Sequence, residues 1–277
     1  MYLVLIAGCL LTIGGSLLAV TQTPKMEASI TASQSDTYVL HPSVDNSGSG
    51  IVSSSVAHQS SGRPIPSQAS SQAVINNSIE RSLTTKNADH AYFQDVAFIG
   101  DSRTQGLMTC SDLSDATFLA VKGLTVRTVF TEAAIQTKNG NQTVMDALKS
   151  SKFGKVYIML GINELGWAYS DVFIEEYGKV IDAVRKSQPS AKIIVQAIFP
   201  VTEKRSDSDK IFNNTNIAKY NQLIQKMAQE KKIIYLDVSP ALTDGSGNLS
   251  PDASTDGIHL NHAYCQKWSD FIRAHKE

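Results

Sequence analysis

A chain of 277 residues with a formal net charge of −1 has room for one or two domains and carries no bulk positive field for nucleic acid or an anionic membrane surface. Its three cysteines, Cys9, Cys110 and Cys265, are too few for a disulfide framework, and no pair of them has the spacing of a metal site. Neither a nucleic-acid partner nor a metal is therefore expected.

Residues Tyr2 to Val20 are almost wholly apolar, and the first charge is Lys25. That length spans a bilayer. No basic residue precedes the run and no small-x-small cleavage site follows it. Residues 1–24 therefore read as a signal-anchor, with a cleaved signal peptide as the rival. Ile6-Ala7-Gly8-Cys9 looks like a lipoprotein processing box, but it comes too early, inside the apolar run. Either main reading exports the rest of the chain. It would be held on the outer face of the cell membrane by an N-terminal helix, or secreted if the segment is cleaved.

The composition then changes. Ala28 to Ile79 holds 15 serines and only three charged residues, Asp36, Asp45 and Arg63. It has no sustained period of 2 or 3.6, so it cannot bury enough apolar area to offset chain entropy. Residues 25–89 are expected to be a disordered linker. A flexible chain of ~60 residues reaches roughly 40–45 Å, enough to hold a domain off a membrane.

Residues 90–277 carry the expected folded domain. Val96–Ile99, Phe118–Val121, Val156–Leu160, Ile193–Val195 and Ile233–Leu236 are short apolar runs. Runs apolar on both faces suit buried parallel strands. Helical stripes lie between and after them: Phe173, Ile174, Tyr177, Val180, Ile181 and Val184, then Ile217, Tyr220, Leu223, Ile224 and Met227, then Tyr264, Trp268, Phe271 and Ile272. The alternation predicts one three-layer α/β domain around a five-stranded parallel sheet. Cys110 and Cys265 fall within it, as one bridge or, preferably, as two buried thiols.

Four short blocks follow strand ends or precede the last helix. In Phe98-Ile99-Gly100-Asp101-Ser102-Arg103, a strand breaks into a helix and leaves a serine hydroxyl at the carboxyl edge of the sheet. Ligands sit there in α/β proteins, although Gly-Asp-Ser is also a good turn and helix cap, and Asp101 reads as that cap. Gly123, in Val121-Lys122-Gly123, lets the backbone approach a ligand, or is an ordinary turn glycine. Asn163, in Leu160-Gly161-Ile162-Asn163-Glu164, can aim a neutral amide at a developing oxyanion, or simply form a turn. In Thr255-Asp256-Gly257-Ile258-His259-Leu260, the Asp can curl back onto the imidazole, fix its tautomer and leave Nε2 as a base. Singly, such an Asp-x-x-His is more often a surface turn.

Together the four blocks resemble the SGNH hydrolases, also called GDSL-type esterases and lipases. The order Ser102, Gly123, Asn163, His259 is that family's order, and the resemblance covers roughly 91–277. It implies a flavodoxin-like sandwich, with Ser102 as nucleophile, His259 as general base and then acid, and Asp256 orienting His259. The oxyanion hole would comprise the N–H groups of Ser102 and Gly123 and the side-chain amide of Asn163. The serine does not lie in the Gly-x-Ser-x-Gly elbow of α/β-hydrolases. Residues 100–104 also lack the glycines and Lys of a phosphate-binding loop, and no cofactor is expected.

The sequence departs from the family pattern at Arg103, where Leu is common, and at Glu164, where Asp is common. Arg103 is a candidate substrate contact, with pairing to a nearby carboxylate as the plainer reading. Trp167 and Tyr169 are candidates for a rim on which a sugar ring stacks, or for loop packing. The resemblance and the export segment imply a serine esterase acting on short-chain acyl esters, O-acetyl above all, of a small molecule or a glycan. The alternatives are an acyltransferase acting on cell-wall polysaccharide and a tethered glycan-binding module with a vestigial site.

Overall fold

The computed structural model describes residues 84–85 and 88–276. The apolar helix expected over 1–24 lies outside the described residues, as does nearly all of the linker expected over 25–89. Among the described residues, no helix is long and apolar enough to cross a membrane.

The expected strands form. β1 (Val96–Gly100), β2 (Thr117–Ala120), β5 (Lys155–Met159), β6 (Lys192–Gln196) and β7 (Ile234–Leu236) make one sheet in the order β2-β1-β5-β6-β7. All four pairings are parallel. Each strand presents its residues alternately to two faces, and both faces are covered, which is why the strands read as continuous apolar runs. Ala97, Ile99, Val156, Ile158, Ile193 and Val195 enter one core, while Val96, Phe98, Tyr157, Met159 and Ile194 enter the other.

Among the described residues, the helices that accompany the sheet include α1 (Ser102–Cys110), α2 (Val144–Lys149), α3 (Ser170–Ser187), α4 (Glu203–Ser208), α5 (Asn214–Lys231) and α6 (His262–Ala274). The stripes of α3 and α5 pack into the first core, and Tyr264, Trp268 and Ile272 of α6 into the second with Leu107 of α1. Side chains start five of them: Asp101, Thr143, Thr202, Asn213 and Asn261 each accept a backbone N–H from the first turn of α1, α2, α4, α5 and α6 respectively. Asp101 is thus the cap it was read to be. A small antiparallel hairpin, β3 (Ile135–Thr137) with β4 (Gly140–Gln142), was not foreseen. Its strands carry no apolar alternation; the turn is held instead by the Thr137 hydroxyl, which donates to the Gly140 carbonyl at 2.7 Å. Cys110 and Cys265 are both thiols, the first half-buried and the second buried.

Counted within the main sheet, the strand order is 2-1-3-4-5, that of a doubly wound flavodoxin-like fold. The chain leaves β1 toward one edge and β5 toward the other. The loops after these two neighbours diverge and open a crevice at their carboxyl ends, which is where such sheets hold ligands.

Candidate active site

Ser102 follows β1 as the first residue of α1. Its Oγ lies 2.9 Å from Nε2 of His259, 157 residues later in the chain. Nδ1 of His259 is 2.6 Å from Oδ2 of Asp256. The other oxygen of Asp256 accepts from the N–H groups of Ile258 and His259, each at 2.8 Å, and from the Ser254 hydroxyl at 2.9 Å. Partial burial pushes the Asp256 carboxyl up, but the bonds from the His259 ring, the two N–H groups and Ser254 outweigh it and hold the group far below the usual carboxylate range. An ionised carboxylate only accepts, so Nδ1 carries the ring hydrogen and Nε2 faces the Ser102 hydroxyl with a lone pair. The side chains of His259 and Asp256 are about half exposed, at 45% and 50%, so solvent and solutes reach them. Gly257 shapes the turn that carries both residues: its φ is +81° and its carbonyl accepts the Thr202 N–H at 3.0 Å.

Asn163 reaches the residue next to Gly123. Gly123 is exposed and adopts φ +78°, just beyond the end of β2. Asn163, in a short helical turn after β5, donates one Nδ2 hydrogen to the Leu124 carbonyl at 2.9 Å. The second amide hydrogen has no such engagement among the described contacts and is the one available to a ligand.

Arg103 is placed differently from expectation. It is 2% exposed, so it does not form a substrate-facing surface. Its Nη1 donates to the Phe199 carbonyl at 2.6 Å, and the guanidinium lies 4.0 Å over the Phe199 ring. The nearby carboxylates Asp101 and Asp256 act on it through their charges. Burial lowers its pKa to about 10, with the charges of Asp101 and Asp256 opposing the shift. Asp101 is buried beside it; burial raises its carboxyl to about 6 against the Arg103 N–H and charge.

Trp167 and Tyr169 line a shallow depression of about 430 Å³ with Arg127, Ala168 and Val172. Tyr169 is 70% exposed, and the Arg127 guanidinium sits 4.9 Å over the Trp167 ring. A second depression, of about 510 Å³, adjoins Asp256 and is lined mainly by polar residues, among them Thr202, Lys204, Ser254 and Thr255. Among the described residues, no cluster of His, Cys, Asp and Glu could hold a metal ion.

Glu164 is the residue whose part the sequence did not reveal. It is fully buried, and its Oε1 accepts the Val126 N–H at 2.7 Å. Burial raises its carboxyl to about 8. Its adjacency to Asn163 was the only available signal, because partnership with Val126 depends on a loop 38 residues away.

A hydroxyl hydrogen-bonded to an imidazole that a carboxylate orients is the arrangement of nucleophilic acyl chemistry. Comparison with known proteins agrees in kind. Residues 98–266 match the model of the GDSL-like Lipase/Acylhydrolase family. A multidomain esterase of Ruminococcus flavefaciens is 27% identical over 130 residues, which are 46% of this chain and 16% of that protein's length. A Streptococcus pneumonia structure provisionally described as a platelet activating factor superposes with a TM-score of 0.52 at 20% identity, covering 76% of this chain and 99% of that one. A Bacteroides fragilis structure provisionally described as an acylhydrolase gives 0.50 at 17% identity, over 65% of this chain and 85% of that one. At these identities the two structures speak to the fold. The family match runs from within β1 into α6, more than half of the chain, so the chain belongs to the GDSL-like lipase/acylhydrolase family.

Proposed function

We propose that this protein is an exported serine esterase that removes short acyl groups, O-acetyl above all, from a glycan. The observation that carries the reading is the hydrogen-bonded chain Ser102–His259–Asp256, at 2.9 and 2.6 Å. In this mechanism Nε2 of His259 takes the Ser102 proton as Oγ attacks the ester carbonyl. Asp256 stays ionised and stabilises the imidazolium. The N–H groups of Ser102 and Gly123 and the free Nδ2 hydrogen of Asn163 hold the oxyanion. His259 then protonates the leaving alcohol, the C–O bond breaks, and the acyl group remains on Ser102. Water, deprotonated by His259, attacks the acyl-enzyme; the acid leaves and Ser102 regains its proton.

The glycan assignment is supported by two depressions, one of them lined in part by Asp256. An exposed Tyr169 beside Trp167 offers the flat apolar face that a sugar ring stacks on, and Arg127 adds a donor. The polar depression at Asp256 suits hydroxyl groups better than a long acyl chain. Export is supported by the apolar run Tyr2–Val20 and the Ser-rich stretch after it, which would place the domain on a tether outside the cell.

The test is hydrolysis of p-nitrophenyl acetate and of an acetylated polysaccharide by the wild type and by Ser102→Ala. Loss of at least about 10³-fold in kcat with Ser102→Ala, and nearly the same loss with His259→Ala, is expected because the members act as a unit. Undiminished turnover by Ser102→Ala would overturn the assignment. Acetyl appearing on an added glycan acceptor, with no free acetate, would identify a transferase instead.

A further inference from the structure

We infer that Glu164 is a positioning residue for the oxyanion-binding groups: through Val126 its carboxyl holds the loop that carries Gly123 and orients the Asn163 amide. The inference rests on the catalytic reading above and deepens it.

The loop from Gly123 to Val126 belongs to neither a strand nor a helix. Gly123 has no side chain with which to anchor itself. The loop's ties include the Leu124 N–H, which donates to the Val121 carbonyl at 3.0 Å, the bonds of Thr125 with Thr128 and Val129 on its far side, and two bonds to consecutive residues of the β5 turn. Asn163 Nδ2 donates to the Leu124 carbonyl, and the Val126 N–H donates to Glu164 Oε1. These two bonds are mechanically linked, because Leu124 and Val126 are separated by one residue. The first consumes one hydrogen of the Asn163 amide and so sets the direction of the second. If the Leu124 carbonyl moves, the amide turns with it, and the Gly123 N–H one residue earlier shifts too. Oxyanion donors act through preorganisation, so a displacement at the loop falls on the transition state rather than on substrate binding.

Glu164 is itself immobilised. Its N–H reaches the Gly161 carbonyl at 3.3 Å. Its carbonyl accepts from the Tyr220 hydroxyl of α5 at 2.6 Å and from the Trp167 N–H at 2.9 Å. The loop is therefore clamped to α5 and the sheet through one buried side chain. What the position requires is an acceptor oxygen of this reach, not a charge. Burial favours the neutral acid, whose carbonyl oxygen still accepts the Val126 N–H without a charge. Glutamine meets the same requirement; methionine fills nearly the same volume and offers no oxygen.

The experiment compares Glu164→Met and Glu164→Gln with wild type in p-nitrophenyl acetate kinetics, in the rate of fluorophosphonate labelling at Ser102, and in thermal unfolding. With one oxyanion donor worth on the order of 10²–10³ in rate, a displaced hole should cost Glu164→Met roughly 10–100-fold in kcat with KM within about threefold. Labelling should slow in parallel, and Glu164→Gln should recover most of both. Should Glu164→Met not fold, Glu164→Asp takes its place, since its oxygen stops one carbon short of Val126; the same kcat loss is expected. A folded Glu164→Met or Glu164→Asp with wild-type kcat, or a Glu164→Gln as slow as the variant lacking the acceptor, would overturn the inference alone. Absence of Ser102-dependent turnover in wild type would overturn the catalytic reading and this inference with it.

Discussion

Asp256 and Glu164 are two acids whose surroundings drive their protonation apart. Asp256 is half exposed and takes hydrogen bonds at both oxygens, so it is held ionised. Glu164 is buried, and burial moves its carboxyl from the ordinary 4.5 to about 8. The consequence for stability has a definite sign. Between these two values the unfolded chain releases the Glu164 proton while the folded protein keeps it, so the folded state binds more protons and loses stability as pH rises through the window. The buried Asp101, raised to about 6, acts in the same direction. The groups facing Glu164 are Asp101 and the hydroxyls of Tyr177 and Tyr220. Glu164→Gln leaves all three in place, so the difference between the two proteins isolates Glu164. Urea unfolding at pH 5 and pH 8 should show Glu164→Gln gaining on wild type at the higher pH. An equal gap at both values would mean that Glu164 is ionised in the folded protein. Asp256 has the opposite sign: its contribution is full above the ordinary carboxylate range and is lost only as pH falls into strong acid.

The turn between Leu249 and α6 is the element on which the site geometry depends most. Gly257 sits in it at φ +81°, and a Cβ there would lie 2.6 Å from the Thr202 Oγ1 and 2.7 Å from the Arg205 Cβ. Gly257→Ala must therefore displace the turn or α4, and the turn carries both Asp256 and His259. Misplacing a catalytic group by about 1 Å can cost on the order of 10² in rate, so kcat should fall by that order. The positive φ and the contacts should lower stability by about 1–3 kcal/mol. Kinetics with p-nitrophenyl acetate and a thermal melt check both, and full activity would show that the turn yields without moving its side chains. At this scale the main sheet strands and the long helices were legible, because an apolar run or a stripe over several turns repeats often enough to be read. The six-residue helices α2 and α4 and the three-residue strands β3 and β4 were not. They span too few periods to be read, even though α2 buries Val144, Met145, Ala147 and Leu148 in the first core.

Across the whole molecule, the sheet separates two cores, and α6 seals the second. Trp268 is fully buried there, donates its indole N–H to Gln196 Oε1 of β6 at 2.9 Å, and meets Phe199 edge-on with ring centroids 5.3 Å apart. Trp268→Ala opens a large cavity and leaves the Gln196 amide oxygen unpaired, so it should cost about 3–5 kcal/mol. Urea denaturation measures this directly, and a loss under 1 kcal/mol would show that the core collapses around the gap. The sheet strands, the class of fold and the four motif blocks can be read from the chain, because each is written in a local period or a short contiguous motif. Tertiary packing alone brought particular blocks into contact. Ser102 and His259 are 157 residues apart, and the strand order that opens the crevice is set by packing across the sheet rather than by any one segment. It also decided that Arg103 turns inward to Phe199 and that Glu164 reaches Val126. Burial and partnership belong to the surroundings of a side chain, and those surroundings exist only once distant segments have packed.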